Sequence, residues 1–274
     1  MKTRTSWART AIAIAICVPF VIPFLSLVST ATRESQDFKS APGGLPHSFT
    51  LDHLIEAWTT ADLGRALVST LVMATIACVI ATGGGLAAAF WLRLHDGRIA
   101  GMLRGLLMIG YAVPAVAWLI PVFVTLSTAG LTDNVAVAGA VYGISAIPFS
   151  IYLFSTFYRQ VLNEELLEAC SLDGAGVLRT FWSIGVPLAR PVIASVVALV
   201  FVWCFGDLLV PATLLQGDPA NYPLTLATTT LTTREEVNLQ GQAAAALVSL
   251  LPVLVVFAFA QKSLAAGFAE GSEK

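Results

Sequence analysis

Charge is what this chain has least of. Lys, Arg, Asp and Glu make up 12% of its 274 residues while apolar types fill 57%, a balance that excludes an ordinary soluble domain of this size and leaves an integral membrane protein. The net charge is -2 and no basic run is present to neutralise phosphates, so the sequence argues neither for nucleic acid nor for anionic lipid headgroups as partners. No GxxxxGK[ST] pattern occurs, and the only Gly triplet, Gly83 to Gly85, has no Lys after it. The chain therefore cannot cradle ATP phosphates by the usual loop, and no cofactor is expected on it. Histidine is limited to His47, His53 and His95, all between apolar runs, which removes a membrane-embedded Ser-His pair and leaves no His cluster for a metal. Cys17, Cys78, Cys170 and Cys204 fall in apolar runs or in one polar loop, so no extracellular disulfide framework is expected.

What the chain does have is long apolar runs of about the twenty residues a helix needs to cross a bilayer. They lie at about 11–29, 66–92, 102–126, 135–157, 191–215 and 243–264, which makes six spans in a single membrane domain covering 1–274. A cleavable signal peptide is the rival reading of the first run, although that run is longer than a usual signal core and Ser29-Thr30-Ala31 is only a loose cleavage site. Pro114, Pro121, Pro148, Pro211 and Pro252 fall inside the runs and predict kinks there. The Gly83 to Gly85 triplet permits close helix approach. Between the first two runs, FTLDHLIEAW reads as a short interfacial helix that Thr50 or Asp52 can cap, with Trp58 at headgroup depth.

Basic residues orient the spans. With the N-terminus inside, the cytoplasmic segments hold Lys2, Arg4, Arg9, Arg93, Arg98, Arg104, Arg159, Arg179, Arg190, Lys262 and Lys274, and only Arg33, Lys39, Arg65 and Arg234 lie outside. Eleven against four predicts a multi-pass protein of the cell membrane with both termini in the cytoplasm.

The longest patterned polar interruption is the loop 163–191, NEELLEACSLDGAGVLRTFWSIGVPLARP. Asn163 can cap a first helix, Glu164 and Glu165 sit in its first turn where the dipole favours anions, and Gly174 permits a stop. Pro187 and Pro191 are expected to close a second helix. Within this frame Glu168, Ala169, Asp173, Gly174, Ala175, Phe181, Ile184, Pro187 and Leu188 resemble the EAA loop of ABC-importer permeases, with Cys170 where that family usually has its second Ala. RALVSTLVMA, AAFWLRLHDGR, VPAVAWLIPVF, AIPFSIYLF and AQKSLAAGFAEG extend the resemblance to the MalG-like permeases of carbohydrate importers. Two departures stand out: Gly206 replaces an Asn before Asp207, and the tail carries Glu270 and Glu273.

The resemblance implies an all-α membrane protein of the type I importer kind, six transmembrane helices with a cytoplasmic EAA coupling loop, that is not itself an enzyme. It implies a second permease as the other half of the pore, cytoplasmic ATP-binding subunits that carry ATP and Mg, and an extracytoplasmic binding protein that delivers a sugar. On this reading Glu168, Ala169, Cys170, Asp173, Gly174 and Ala175 couple to the ATPase, with Glu168 expected to pair with a basic residue there. Candidates for the substrate pathway come from chemistry instead. Asp207 is an ionisable group deep in an apolar run, which is expensive unless it faces a cavity or finds a partner; the competing role is to shape the helix with backbone donors near Pro211. Tyr111, Trp118, Tyr142 and Trp203 offer flat apolar faces to a sugar ring, or serve as packing and interface anchors. Two other functions stay open: an importer permease for a non-sugar solute, and an ion-coupled carrier, which would need acids in several spans where only Asp207 qualifies.

Overall fold

A computed structural model describes residues 7–41, 47–95, 97–231 and 238–270. Among them the regular structure is helical, in the order α1 Trp7–Thr32, α2 Ser35–Ser40, α3 Asp52–Thr60, α4 Leu63–Leu94, α5 Arg98–Ala112, α6 Ala115–Thr128, α7 Val135–Val161, α8 Glu164–Leu172, α9 Val177–Thr180, a π turn Phe181–Gly185, α10 Val186–Leu188, α11 Arg190–Gly206, α12 Leu209–Leu214, α13 Leu224–Ala227 and α14 Leu239–Glu270, with 3-10 turns at Pro219–Asn221 and Thr228–Leu231. Four stretches, Thr10–Thr32, Leu63–Leu94, Val135–Val161 and Leu239–Ala258, are each long and apolar enough to cross a membrane. Two bent pairs, α5 with α6 at 95° and Val177–Leu188 with α11 at 72°, raise the number to six if each pair is one span.

The bends separate this architecture from uninterrupted runs. Proline disfavours helical backbone in the residue before it; Val113 is accordingly extended at φ -74°, ψ 121°, Pro114 follows at ψ 142°, and the run 102–126 is broken in its middle. The run 191–215 is likewise not one helix. It stops at Gly206, Asp207 takes extended backbone at ψ 133°, and α12 starts afresh at Leu209. Pro148, by contrast, lies inside an unbroken α7.

The chain divides into two compact units, Met1–Ala66 with Ala227–Leu251, and Leu67–Leu226 with Pro252–Lys274. In the first, Arg33 is 1% exposed although it is a charged residue next to an apolar helix. Its guanidinium donates from Nε to Asp37 Oδ2 at 3.0 Å and from Nη2 to Asp37 Oδ1 at 2.9 Å, and Nη1 reaches the Ala41 carbonyl at 3.1 Å. Asp37 Oδ2 also accepts from the backbone N–H of His47 at 2.9 Å and of Ser48 at 3.2 Å. Gln240 closes the knot by donating to the Arg33 carbonyl at 2.7 Å and accepting from Ser35 Oγ at 3.1 Å. The Arg33 guanidinium first, then the His47 N–H, hold the Asp37 carboxyl well below the usual carboxylate range. The short helix α3 follows, entered through Thr50, whose Oγ1 accepts from Asp52 N at 3.1 Å.

The second unit is built on small residues between α4 and α7. A Cβ on Gly139 would lie 2.7 Å from the Met73 carbonyl oxygen, and one on Gly143 would lie 2.9 Å from that of Ala77, so the two backbones approach closely only because α7 carries Gly there. On α4, a Cβ on Gly85 would collide with Ser150. Of the Gly triplet, Gly84 and Gly85 therefore pack, while a Cβ on Gly83 would meet nothing within 4 Å. Around this seam Met73, Ala77, Cys78, Phe154, Tyr158, Val196, Val200 and Cys204 are buried as one cluster.

Candidate functional site

The loop after α7 begins with the cap its sequence predicts. Asn163 Oδ1 accepts from Leu166 N at 3.0 Å, which starts α8, and the helix stops where Gly174 turns left-handed at φ +69°. Gly174 N donates to the Ser171 carbonyl and Ala175 N to that of Cys170, both at 3.0 Å, satisfying the last carbonyls of the helix. Leu166 packs on the core of the unit and Cys170 is 6% exposed, so one side of α8 faces its own protein. Cys170 thus fills an internal position of this chain. Glu164, Glu165, Glu168, Ala169 and Asp173 are exposed and Ala175 is half-buried.

The second half of the loop differs from the expected proline-terminated helix. Four residues of α-helix lead into the π turn, and the chain runs on through α10, which contains Pro187, before bending at Ala189 into α11. A π turn shifts the hydrogen-bond ladder by one residue, and here it does so just ahead of a proline that has no N–H to contribute. The turn is clamped from beneath. Tyr158 Oη donates to the Gly185 carbonyl at 3.1 Å, and Phe90 packs edge-on against Tyr158 at 5.8 Å and against Phe181 at 5.2 Å between ring centroids. A Cβ on Gly185 would meet the Phe90 ring at 3.0 Å. Phe90, Tyr158 and Gly185 were not legible as loop anchors, because they are separated by tens of residues and each resembles its apolar surroundings.

The outer side of the loop is unusual for a polar connection. Leu172 is 88% exposed, Leu178 71%, Trp182 63% and Val177 59%. The loop thus exposes both the acidic residues of α8 and large apolar side chains, and exposed apolar surface is what interaction sites carry.

Asp207 is used differently. Its Oδ1 accepts from Val210 N at 2.8 Å, so the carboxylate caps the first turn of α12, and its carbonyl accepts from Thr225 Oγ1 at 2.7 Å. The segment around it is tied down further. Asp133, itself at φ +59°, takes Gly217 N on Oδ1 at 2.7 Å and Asn221 Nδ2 on its carbonyl at 2.8 Å, and donates its N–H to the Leu214 carbonyl at 2.8 Å. Thr70 Oγ1 accepts from Leu224 N at 2.8 Å.

The four aromatic candidates separate into two pairs. Tyr111 and Trp203 flank Phe149, at centroid distances of 6.3 Å and 4.6 Å, and form a row across α5, α7 and α11 in which Tyr111 is 65% and Trp203 44% exposed. Trp118 and Tyr142 are half-buried and pack on the core of the unit. Phe149 is the member missed from the sequence; its seven-residue spacing from Tyr142, two helical turns, was the available signal.

Comparison with known proteins follows the same lines. The profile of the family described as binding-protein-dependent transport system inner membrane component matches residues 80–269. The chain is 30% identical over 264 residues to the melibiose/raffinose/stachyose import permease protein MelC of Bacillus subtilis (strain 168), covering 96% of this chain and 94% of that one. It is 30% identical over 266 residues to the maltodextrin transport system permease protein MdxG of the same organism, covering 94% and 92%. Among solved structures, a chain of a bacterial ABC transporter involved in the import of the acidic polysaccharide alginate superposes with a TM-score of 0.75 at 18% identity, over 96% of this chain and 98% of that one.

Proposed function

The chain belongs to the family of inner membrane components of binding-protein-dependent transport systems, a multi-pass membrane permease that works with a binding protein, and from that membership we propose how it does so. It forms half of the pore of an ATP-driven importer for a sugar or oligosaccharide, the other half being a second permease. ATP and Mg are handled by separate cytoplasmic subunits, and this chain is non-catalytic. The reading of sugar as cargo is supported by the relatives, whose printed substrates include melibiose, raffinose, stachyose and maltodextrin.

The observation that carries the coupling role is the 163–191 loop, anchored beneath by Tyr158 and Phe90 while Glu168, Leu172, Leu178 and Trp182 are left uncovered above. It acts as the EAA loop. An ATPase subunit covers the apolar group, Glu168 pairs with one of its basic residues, and Gly174 sets the angle of α8. Closure of the ATPases then moves α4 and α7, to which Phe90 and Tyr158 clamp the loop, together with α11, into which the loop runs. With both termini and this loop in the cytoplasm, the Asp133 and Asp207 turns lie on the outer side. The aromatic row Tyr111, Phe149 and Trp203 offers stacking faces to the sugar, and Asp207 shapes the path by capping α12.

The test is reconstitution. The purified chain, a co-encoded second permease, ATPase and binding protein in lipid vesicles should take up one of a panel of neutral oligosaccharides only when all four and ATP are present. The chain alone should hydrolyse ATP at background. Uptake without the ATPase, or hydrolysis by this chain alone, contradicts the reading.

A further inference from the structure

The ends of α4, α5 and α7 enclose a cavity of about 250 Å³ lined by Ala89, Leu92, Arg93, Arg104, Ser155 and Arg159. Half of those residues are arginines, and among the described lining residues there is no carboxylate. Two polar atoms of this lining are left over by the fold. The Nε of Arg93 and the Oγ of Ser155 are both buried without a hydrogen-bond partner. Arg104 donates from Nη2 to the carbonyl of Leu92 at 2.7 Å, which fixes it at the mouth. Buried donors left unpaired are costly, and two of them beside three cations specify an acceptor-rich anion.

The same arginine end opens into a second space of about 610 Å³ whose lining includes Leu107, Ile151 and Tyr152 together with Arg104 and Arg159, and which Tyr111 and Phe149 of the aromatic row also border. Beside it the flank of α5 exposes Met102 at 73%, Leu106 at 61% and Ile109 at 65%. From Arg159 to Ile151, short of the aromatic row, is eight residues of helix, about 12 Å at 1.5 Å per residue, the length of an acyl chain's first nine or so carbons and not of a bare anion. We infer that this pocket holds one anionic phospholipid, its phosphate against Arg93, Arg104, Arg159 and Ser155 and one acyl chain along Leu107 and Ile151. The shared chemistry is a phosphate; the apolar extension and the exposed α5 flank assign it to a lipid. Basic pockets between helices at the cytoplasmic side of a membrane bind such headgroups, and the placement of this one on that side rests on the orientation proposed above. A headgroup seated here ties together three helix ends, one of which leads into the coupling loop.

The experiment uses the full-length chain in mild detergent, with bound lipid counted by native mass spectrometry. Dioleoylphosphatidylglycerol is offered against dioleoylphosphatidylcholine of the same chains, and inorganic phosphate and a short oligouronate are soluble competitors. One phosphatidylglycerol should be retained at concentrations that leave phosphatidylcholine unbound. Arg93→Gln with Arg159→Gln should raise the concentration for half-occupancy about tenfold or more, Ser155→Ala less, and Arg93→Lys with Arg159→Lys should keep most of the preference. Should the Gln pair fail to accumulate, the Lys pair and the competitors on the wild-type chain decide. Equal retention of both lipids, or a preference that the Gln pair does not move, overturns the site. Displacement by millimolar phosphate reassigns it to a free anion, and displacement by the oligouronate makes it part of the cargo path; either overturns the lipid. Because no ATPase or uptake enters the readout, failure here is distinct from failure of the importer reading.

Discussion

The loop at 163–176 and the turn at 206–224 are built from the same first element and end up as opposites. Each opens with a side-chain oxygen that accepts from the N–H three residues on, Asn163 to Leu166 at 3.0 Å and Asp207 to Val210 at 2.8 Å. In the turn, the remaining polar groups are also spent internally: Thr225 on the Asp207 carbonyl, Asp133 on Gly217, Asn221 on Asp133. In the loop, the capping group is spent, whereas Glu168 and Asp173 stay exposed beside Leu172 at 88% and Trp182 at 63% exposure. A polar residue whose hydrogen bonds close within the fold is architecture. One that stays open next to uncovered apolar side chains is what the proposed coupling role requires.

The largest effect is expected where the loop meets its own protein. Gly185→Val places a branched side chain against Phe90, whose ring already lies 3.0 Å from the position of a Cβ; overpacking of this kind costs about 1–3 kcal/mol. Thermal unfolding of the purified chain should fall and membrane accumulation with it. Tyr158→Phe should cost about 1 kcal/mol, since the hydroxyl on the Gly185 carbonyl is lost while the ring stays. An unchanged unfolding midpoint for Gly185→Val would mean that the loop is not clamped from beneath.

The Asp207 side of the comparison can be broken with two substitutions. Removing the cap by Asp207→Ala should destabilise by about 1 kcal/mol. Asp207→Asn keeps an acceptor for Val210 N and should leave both stability and uptake near wild type. If Asp207→Asn abolishes uptake while the protein remains folded, the charge itself acts on substrate or ions, and Asp207 moves from architecture to pathway.

The smallest effect sharpens the same rule in the first unit. The Asp37 carboxyl is held well below its ordinary value by Arg33. A depressed folded value means that this pairing contributes fully above about pH 4, where the unfolded carboxyl ionises, and is lost only as pH falls through the lower folded value. Protection of the Ser48 and His47 amides against hydrogen exchange, corrected for intrinsic rates, should therefore be flat from pH 7 to pH 5. A decline across that window would show that the knot is held by something other than the ionised Asp37.

Local chemistry accounts for what was legible beforehand. The apolar runs, the Asn163 cap, the Gly174 stop and the packing of Gly84 and Gly85 each depend on a few neighbouring residues. The breaks were harder. Pro114 announces a kink but not its 95° size, and Asp207 reads as a costly buried charge until the Val210 N–H is seen to donate to its Oδ1 and Thr225 to its backbone carbonyl. The burial of Arg33 needs Gln240, 207 positions away, and the seat of the loop needs Phe90 and Tyr158 brought to Gly185. Such partners are chosen by packing across the fold, and no spacing in the sequence encodes them.

Gly174 offers the most direct test of the coupling loop. At φ +69° with open space where a Cβ would stand, a side chain there meets no clash and bears only the backbone penalty of about 1–2 kcal/mol. Gly174→Val should therefore leave insertion intact while re-aiming α8 or extending it through the turn, and Gly174→Ala should do less. Membrane abundance by immunoblot is measured with ATPase recovered by pull-down and sugar uptake in the same cells. The account predicts wild-type abundance, with recovered ATPase and uptake falling together by about fivefold or more for Gly174→Val. Wild-type docking and uptake in that variant would contradict it.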